Sequence, residues 1–223
     1  MFRLNCSKGL PMLLDPDDCQ LVLVDYQTRL MPVIFENERV IANAVRLARM
    51  AHLLQVPSWG TEQTPDKLGA NVDAVRTAIE EAGGRTLTKA HFSAMADGLG
   101  DWLRPPQRKP PQQGDQSRGN ARSLPKHLQK PAAEPEEGKN TIVIAGCEAH
   151  VCLLQTALDL LEEEYEVWVV TDACSSRTER NRDAAFDRLA GNGAELVTTE
   201  MVAFEWLRSA EHPDFKDVLR LIK

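Results

Sequence analysis

A chain of 223 residues, 43% of them apolar, can form one large α/β domain or two small ones with a sizeable core. Its formal net charge of −7 disfavours nucleic acid and acidic membranes as partners, and no apolar run approaches the roughly 18 residues of a membrane span. Five cysteines, an odd number, do not form a disulfide framework, and the first residues lack a secretory signal, so we expect an intracellular, cytoplasmic protein.

The first part of the chain alternates between strand and helix patterns. In chain order, hydrophobic periodicity and stop signals predict a strand at 20–24, a helix at 38–55, a strand at 56–60, a helix from Asn71 to the Gly83-Gly84 pair and a strand at 85–88.

The same alternation resumes after residue 140. It predicts a strand at 141–145, a helix through Glu163, a strand at 166–170, a helix at 179–190, a strand at 195–198 and two short helices near 201–210 and 213–222. Strands that alternate with helices form parallel sheets covered on both faces. We therefore expect one doubly wound α/β domain over residues 1–223, with a mainly six-stranded parallel sheet.

Residues 104–139 interrupt this pattern. They hold seven of the thirteen prolines, no aromatic residue, and eight Lys or Arg against four Asp or Glu. Low hydrophobicity with this bias predicts a low-complexity surface insertion that could crowd the edge of a site, not a second domain. A basic arm that docks a partner or nucleic acid is the alternative.

Three reactive side chains fall at equivalent places in three strand-helix units. Asp25 follows the first strand, Lys89 the third, and Cys152 the fourth after a short turn. Ligands of open parallel sheets bind at the carboxyl ends of the strands, so these three groups are expected at one edge. Cys152 opens a helix whose unpaired amides favour a thiolate, as does a nearby lysine, and can stabilise an oxyanion. The pattern predicts a cysteine nucleophile with a lowered pKa.

Each of these residues also has a structural interpretation. Cys152 could be a small buried apolar residue, Asp25 a cap and Lys89 a solvated charge. His150 and Cys152 are two positions apart and do not share a helix face, which disfavours a Cys–His dyad. A second group of side chains is assigned to substrate contact: Tyr26, Gln27, Glu62, Phe92 and Cys147.

Three of those assignments have alternatives. Tyr26 either lines the pocket or fills the core, and Cys147 also suits packing at the turn. Glu62 and Gln63, after the second predicted strand, could meet substrate or a neighbouring subunit.

The chain resembles the isochorismatase-like cysteine hydrolase superfamily, which includes nicotinamidases and N-carbamoylsarcosine amidohydrolases. Within it, the chain is most similar to the eukaryotic isochorismatase domain-containing proteins. The resemblance covers nearly the whole chain except the insertion. The stretches that carry it are LVLVDYQ, GTEQTPDKLGANV, TLTKAHFS, GCEAHVCLLQTALDLL, TDACSSRTERNRDAA and HPDFKDVLRLIK.

The resemblance implies roles for particular residues. Cys152 would be the nucleophile, Asp25 the general base and Lys89 the cationic partner, with an oxyanion bound by the backbone amides of Glu148 and Cys152. A non-proline cis peptide would lie between Cys147 and Glu148. Attack on the carbonyl of a small amide or ester would give a thioester that water then hydrolyses. Members of the superfamily form homo-oligomers, so a dimer or tetramer is expected.

Departures from the family narrow the substrate class. Nicotinamidases bind a metal through an Asp and several His after the second strand, whereas WGTEQTPDKLG contains no histidine. We therefore expect no metal and no cofactor. Isochorismatases that cleave a vinyl ether lack the nucleophilic cysteine, so its presence here favours acyl chemistry. The alternatives are a catalytically silent interaction protein with this fold and a redox-responsive thiol protein.

Overall fold

A computed structural model describes residues 13–104 and 139–223 of the protein. Its strands are β1 (Cys19–Val24), β2 (Ser58–Gln63), β3 (Arg85–Lys89), β4 (Thr141–Gly146), β5 (Glu166–Val170) and β6 (Glu195–Val197). They form one six-stranded sheet in the order β3-β2-β1-β4-β5-β6, and every neighbouring pair is parallel. The predicted fold class is therefore confirmed.

The helices are α1 (Asn37–Leu53), α2 (Pro65–Leu68), α3 (Asp73–Glu81), α4 (Leu99–Leu103), α5 (Leu154–Glu162), α6 (Glu179–Gly191), α7 (Thr199–Leu207) and α8 (Phe215–Ile222). The two shortest, α2 and α4, were not predicted, and the other six correspond to predicted helices. Helix α1 packs against α3, α7 and α8, and α5 packs against α6. Because parallel connections are right-handed and the strand order reverses at β1, the two groups cover opposite faces of the sheet. None of these helices, within the part of the chain that the structure describes, is long and apolar enough to cross a membrane.

The two central strands carry the core and set the position of the site. Every residue of β1 and β4 is buried, as expected for apolar strands covered on both faces. The strand order reverses between them, and such a reversal is where doubly wound sheets bind ligands. Val24 and Gly146 end the two strands as register partners. Asp25 and Cys147 therefore begin neighbouring loops at the same edge.

Two predicted segments differ from those in the structure. The second strand, predicted at 56–60, runs from Ser58 to Gln63, so Thr61 and Gln63 belong to the sheet and not to the loop. The helix that carries Cys152 begins with a π-helical turn, Ala149–Leu153, before α5. Such single-turn π segments occur often at functional sites.

The predicted insertion falls on residues outside the described ones, except at its two ends. Those ends lie side by side, because Arg104 donates hydrogen bonds to Asn140 Oδ1 at 2.7 and 3.0 Å. The Arg104 guanidinium also stacks 3.6 Å from the ring centre of Tyr165. The two points at which the insertion joins the domain are therefore anchored next to each other.

Candidate active site

Asp25, Lys89 and Cys152 lie together at the carboxyl edge of the sheet. Lys89 Nζ is 2.8 Å from Asp25 Oδ2, and both groups lie close enough to the Cys152 thiol to shift its pKa. The residues are 0%, 2% and 7% exposed, respectively. The sequence-based expectation that the three strand ends converge therefore matches their positions, and the lysine is not a solvated surface charge.

Asp25 is held by the strand next to it. Its φ of +55° is left-handed, and Thr61 Oγ1 donates a 2.7 Å hydrogen bond to its Oδ1. Thr61 is the register partner of Val24, so its side chain stands beside the residue that follows β1. Sequence reasoning missed Thr61. The signal that could have found it is the strand alternation that puts Thr61 and Gln63 on the same face.

The Lys89 ammonium donates to three neutral acceptors. Nζ lies 2.7 Å from Gln63 Oε1, 3.0 Å from the Phe92 carbonyl oxygen and 3.2 Å from the His91 carbonyl oxygen. An ammonium has three N–H groups, so these bonds use all of them. The 2.8 Å contact with Asp25 is accordingly an ion pair without hydrogen-bond alignment.

Asp25 Oδ2 is consequently left with lone pairs to spare. This buried oxygen accepts no hydrogen bond from any nitrogen or oxygen donor of residues 13–104 and 139–223. Buried polar atoms are almost always paired, so an exception beside a thiol invites a chemical explanation. The ion pair with Lys89 offsets the desolvation of the carboxylate and leaves the oxygen open to the thiol proton.

A close approach between strands sets the turn that carries Cys152. A Cβ on Gly146 would lie 2.4 Å from the Val24 carbonyl oxygen, so only glycine fits at this position. One residue further on, the Cys147–Glu148 peptide bond is cis. The Ala149 amide then donates to the Ser175 carbonyl at 2.8 Å.

The Glu148 side chain points to the rim of the site. Its Oε2 accepts hydrogen bonds from the backbone amide of Arg177 at 3.1 Å and from the Arg177 Nε at 3.0 Å. Any part that Glu148 takes in the chemistry therefore belongs to its backbone amide. The Nδ1 atom of the neighbouring His150 lies 2.9 Å from Ser176 Oγ. The His150 ring therefore contacts this serine and is not paired with the Cys152 thiol.

The expected lowering of the Cys152 pKa is wrong in direction. Burial of the thiol, followed by the negative charge of Asp25, raises the pKa of Cys152 to about 12, and the opposing effect of Lys89 does not compensate. The sequence-based expectation included the effects of the helix amides and the lysine on the thiol pKa, but not the effect of burial beside a carboxylate. The resting group is a thiol, so its attack on a carbonyl requires a base.

The residues assigned to substrate contact have structural roles in the fold. Of the two interpretations of Tyr26, the core is favoured, because the ring is 0% exposed and its hydroxyl donates to the Ala173 carbonyl at 2.7 Å. Gln27 is also fully buried and brackets Gln63, accepting from its amide at 2.8 Å and donating to its carbonyl at 3.0 Å. Glu62 accepts a 2.8 Å bond from the Asn71 amide.

Phe92 and Cys147 complete that group. Phe92 contributes its carbonyl oxygen to Lys89, while its ring is 52% exposed at the rim. Cys147 is fully buried, and this burial raises its pKa to about 12. Cys147 therefore packs at the turn as an un-ionised thiol.

In the two ranges that the structure describes, no group of three or more His, Cys, Asp and Glu is placed to hold a metal ion. The carboxylate and thiol of the site face an ammonium, Lys89, instead.

Comparison with known proteins agrees with this architecture. A family model, the isochorismatase domain, matches residues 126–201. Isochorismatase domain-containing protein 2 of Homo sapiens is 34% identical over 208 residues, covering 93% of this chain and 84% of that protein. The Danio rerio protein of the same name is 32% identical over 202 residues, covering 91% and 85%.

Solved structures show the same fold. The MAR1 ribonuclease of Caenorhabditis elegans superposes with a TM-score of 0.76 at 28% identity, covering 94% of this chain and 92% of that one. The Escherichia coli YcaC protein, described as an octameric hydrolase of unknown specificity, gives a TM-score of 0.70 at 23% identity, covering 95% and 96%. With its sheet order and these relatives, the chain belongs to the family of isochorismatase domain-containing proteins.

Proposed function

We propose that the protein is a metal-independent cysteine hydrolase of a small amide or ester. Asp25 Oδ2 takes the proton from Cys152 Sγ, and the sulfur attacks the carbonyl carbon of the substrate. The backbone amides of Glu148 and Cys152 stabilise the oxyanion. The amine or alcohol leaves with the proton held by Asp25, and a thioester on Cys152 remains.

Hydrolysis of the thioester reverses these roles. Asp25 takes a proton from water, the hydroxyl adds to the thioester carbon, and the acid product departs as the proton returns to sulfur. Lys89, which is paired with Asp25, stabilises the negative charge that moves between oxygen and sulfur. No group other than these side chains and water enters the balance.

The observation that carries the proposal is that Asp25 Oδ2 is ion-paired with Lys89 but accepts no hydrogen bond within the described part of the chain. This atom is a buried carboxylate oxygen next to a thiol, and 2.8 Å from an ammonium whose protons are used elsewhere. The raised pKa of Cys152 supports the same assignment, because a thiol of this kind reacts only with a base in contact. It also disfavours the redox-responsive alternative, since oxidants react with the thiolate.

The relatives bear on substrate and assembly in two ways. The C. elegans relative is described as a ribonuclease, but we do not extend that activity to a chain with a net charge of −7, because polyanions bind to basic surfaces. A homo-oligomer stays a prediction, and light scattering would measure its size.

The experiment is a screen of small amides and esters against the purified protein, read by product release and by intact mass. Wild type should accumulate a mass increase on Cys152 with its best substrates, and Cys152→Ala and Asp25→Asn should lose both turnover and adduct. Cys19→Ala, which removes another buried thiol at the opposite end of β1, is the matched control and should keep both. Undiminished turnover in Cys152→Ala would contradict the proposal.

A further inference from the structure

Gln63 is fixed beside the site from both sides. It is the register partner of Lys89 across β2 and β3, so the two side chains share a face. Its Nε2 donates to the Ala90 carbonyl at 2.7 Å, and its Oε1 accepts from Lys89 Nζ at 2.7 Å. The backbone of Gln63 is bracketed by the side-chain amide of Gln27. This buried amide therefore presents one oriented oxygen to the ammonium.

That oxygen affects where the lysine protons point. A charge-assisted hydrogen bond to a carboxylate is stronger than one to a neutral carbonyl, and Asp25 Oδ2 lies only 2.8 Å from Nζ. Nζ nevertheless has hydrogen-bond geometry to Gln63 Oε1 and to the carbonyl oxygens of residues 91 and 92, and not to Oδ2. Two of those acceptors are backbone oxygens, which a substitution does not remove. The third, Gln63 Oε1, belongs to a side chain and can be removed.

We propose that Gln63 is a positioning residue, which holds the Lys89 protons away from Asp25 Oδ2 and so keeps that oxygen open to the Cys152 thiol proton. The inference rests on the proposed function, because it assumes that Asp25 is the base.

The proton balance shows what Gln63 protects. In the attacking state the Sγ–H bond has broken, an Oδ2–H bond has formed, and the thiolate faces the Lys89 ammonium. If Lys89 donated to Oδ2 beforehand, that bond would occupy one lone pair and make the oxygen a weaker acceptor for the thiol proton. Among the described residues, Asp25 and Lys89 shift the pKa of Cys152, and Cys152 in turn affects the pKa of Cys147. Because Cys147 is un-ionised, the proton that moves is shared among Asp25, Lys89 and the Cys152 thiol.

The test is the pH dependence of Cys152 alkylation by iodoacetamide, followed by peptide mass spectrometry on the full-length protein. In wild type the proton stays within the Cys152–Asp25 pair, so the rate should be nearly flat between about pH 6 and 8. Gln63→Leu should lower this plateau about tenfold and make the rate rise with pH.

A matched control separates positioning from loss of a buried amide. Gln20 is likewise buried in the sheet, with its Nε2 bonded to the Leu103 and Lys139 carbonyls, but it lies at the opposite end of β1. Gln20→Leu should reduce stability and leave the alkylation profile unchanged.

If Gln63→Leu keeps the wild-type plateau and shape while Asp25→Asn loses both, the inference is overturned and the proposed function stands. If Asp25→Asn also behaves as wild type, the proposed function fails and the inference with it.

Discussion

Gly146 of β4 approaches Val24 of β1 so closely that a Cβ on Gly146 would lie 2.4 Å from the Val24 carbonyl oxygen and 2.5 Å from the Val24 Cβ. The contact joins the last residues of the two central strands. Because Asp25 follows one of these residues and the turn to Cys152 follows the other, the distance between base and thiol depends on this approach.

Gly146→Ala should therefore disturb both stability and chemistry. Inserting a methyl group at such distances forces the backbone to move, and we expect a loss of about 3 kcal/mol in the free energy of unfolding together with slower Cys152 alkylation. Urea unfolding and alkylation rates measure the two effects. Gly191→Ala is the control, because nothing lies within 4 Å of a Cβ there. It sits in α6 and should stabilise by about 0.5–1 kcal/mol. Equal effects of the two substitutions would contradict this account.

Thr61→Val should cost stability without weakening the base. The substitution keeps the shape of the side chain and deletes the 2.7 Å hydrogen bond to Asp25 Oδ1. A hydrogen bond to a charged group contributes about 1.5–3 kcal/mol, so urea unfolding should show a loss of that size. Because the deleted bond stabilises the charged carboxylate, Asp25 should accept the thiol proton at least as readily, and Cys152 alkylation near neutral pH should not slow. Thr88→Val, at an exposed position of β3, is the matched control and should keep the wild-type stability and rate. Wild-type stability in Thr61→Val would show that Asp25 needs no such support.

The Cys152 pKa should move in opposite directions in two variants. Asp25→Asn removes a negative charge that raises the pKa and should lower it, while burial, the largest cause, keeps it above the usual 9.0. Lys89→Met removes the opposing positive charge and should raise the pKa further. Ultraviolet titration of the thiolate, with Cys152→Ala subtracted, measures both. A pKa that rises in Asp25→Asn would refute the assigned electrostatics.

Alkaline pH should destabilise the protein through its buried thiols, and Cys19 offers a case away from the site. Burial raises its pKa from 9.0 to about 12. Between these values the unfolded chain has lost a proton that the folded chain keeps, so stability is complete below about pH 9 and falls above it. The slope for one such thiol is about 1.4 kcal/mol per pH unit. Urea unfolding of Cys19→Ala should show a decline shallower than wild type by this amount, whereas parallel declines would exclude the effect.

The sequence was sufficient for the sheet and for the three reactive residues, because both follow from strong local patterns. Continuous apolar runs identify β1 and β4, and the rule that parallel strands end at one edge brings Asp25, Lys89 and Cys152 together. These inferences need no knowledge of side-chain packing.

The supporting residues could not be found in the same way. The second strand was expected at 56–60 and in fact ends at Gln63, so the alternation that turns Thr61 and Gln63 toward Asp25 and Lys89 was hidden in a supposed loop. The direction of the Cys152 pKa also escaped the sequence, because desolvation depends on how tightly the loops close over the thiol. Both features depend on tertiary packing rather than on local pattern.

The central claim is that Asp25 acts as the base for Cys152, and the alkylation rate of Asp25→Asn near pH 7 tests it most directly. The two possible mechanisms predict opposite results, because this variant lowers the thiol pKa while removing the base. If Asp25 accepts the proton, the variant should react at least about tenfold more slowly than wild type, with a rate that rises about tenfold per pH unit. If the variant instead reacts faster than wild type, Cys152 attacks as a free thiolate and the account is contradicted.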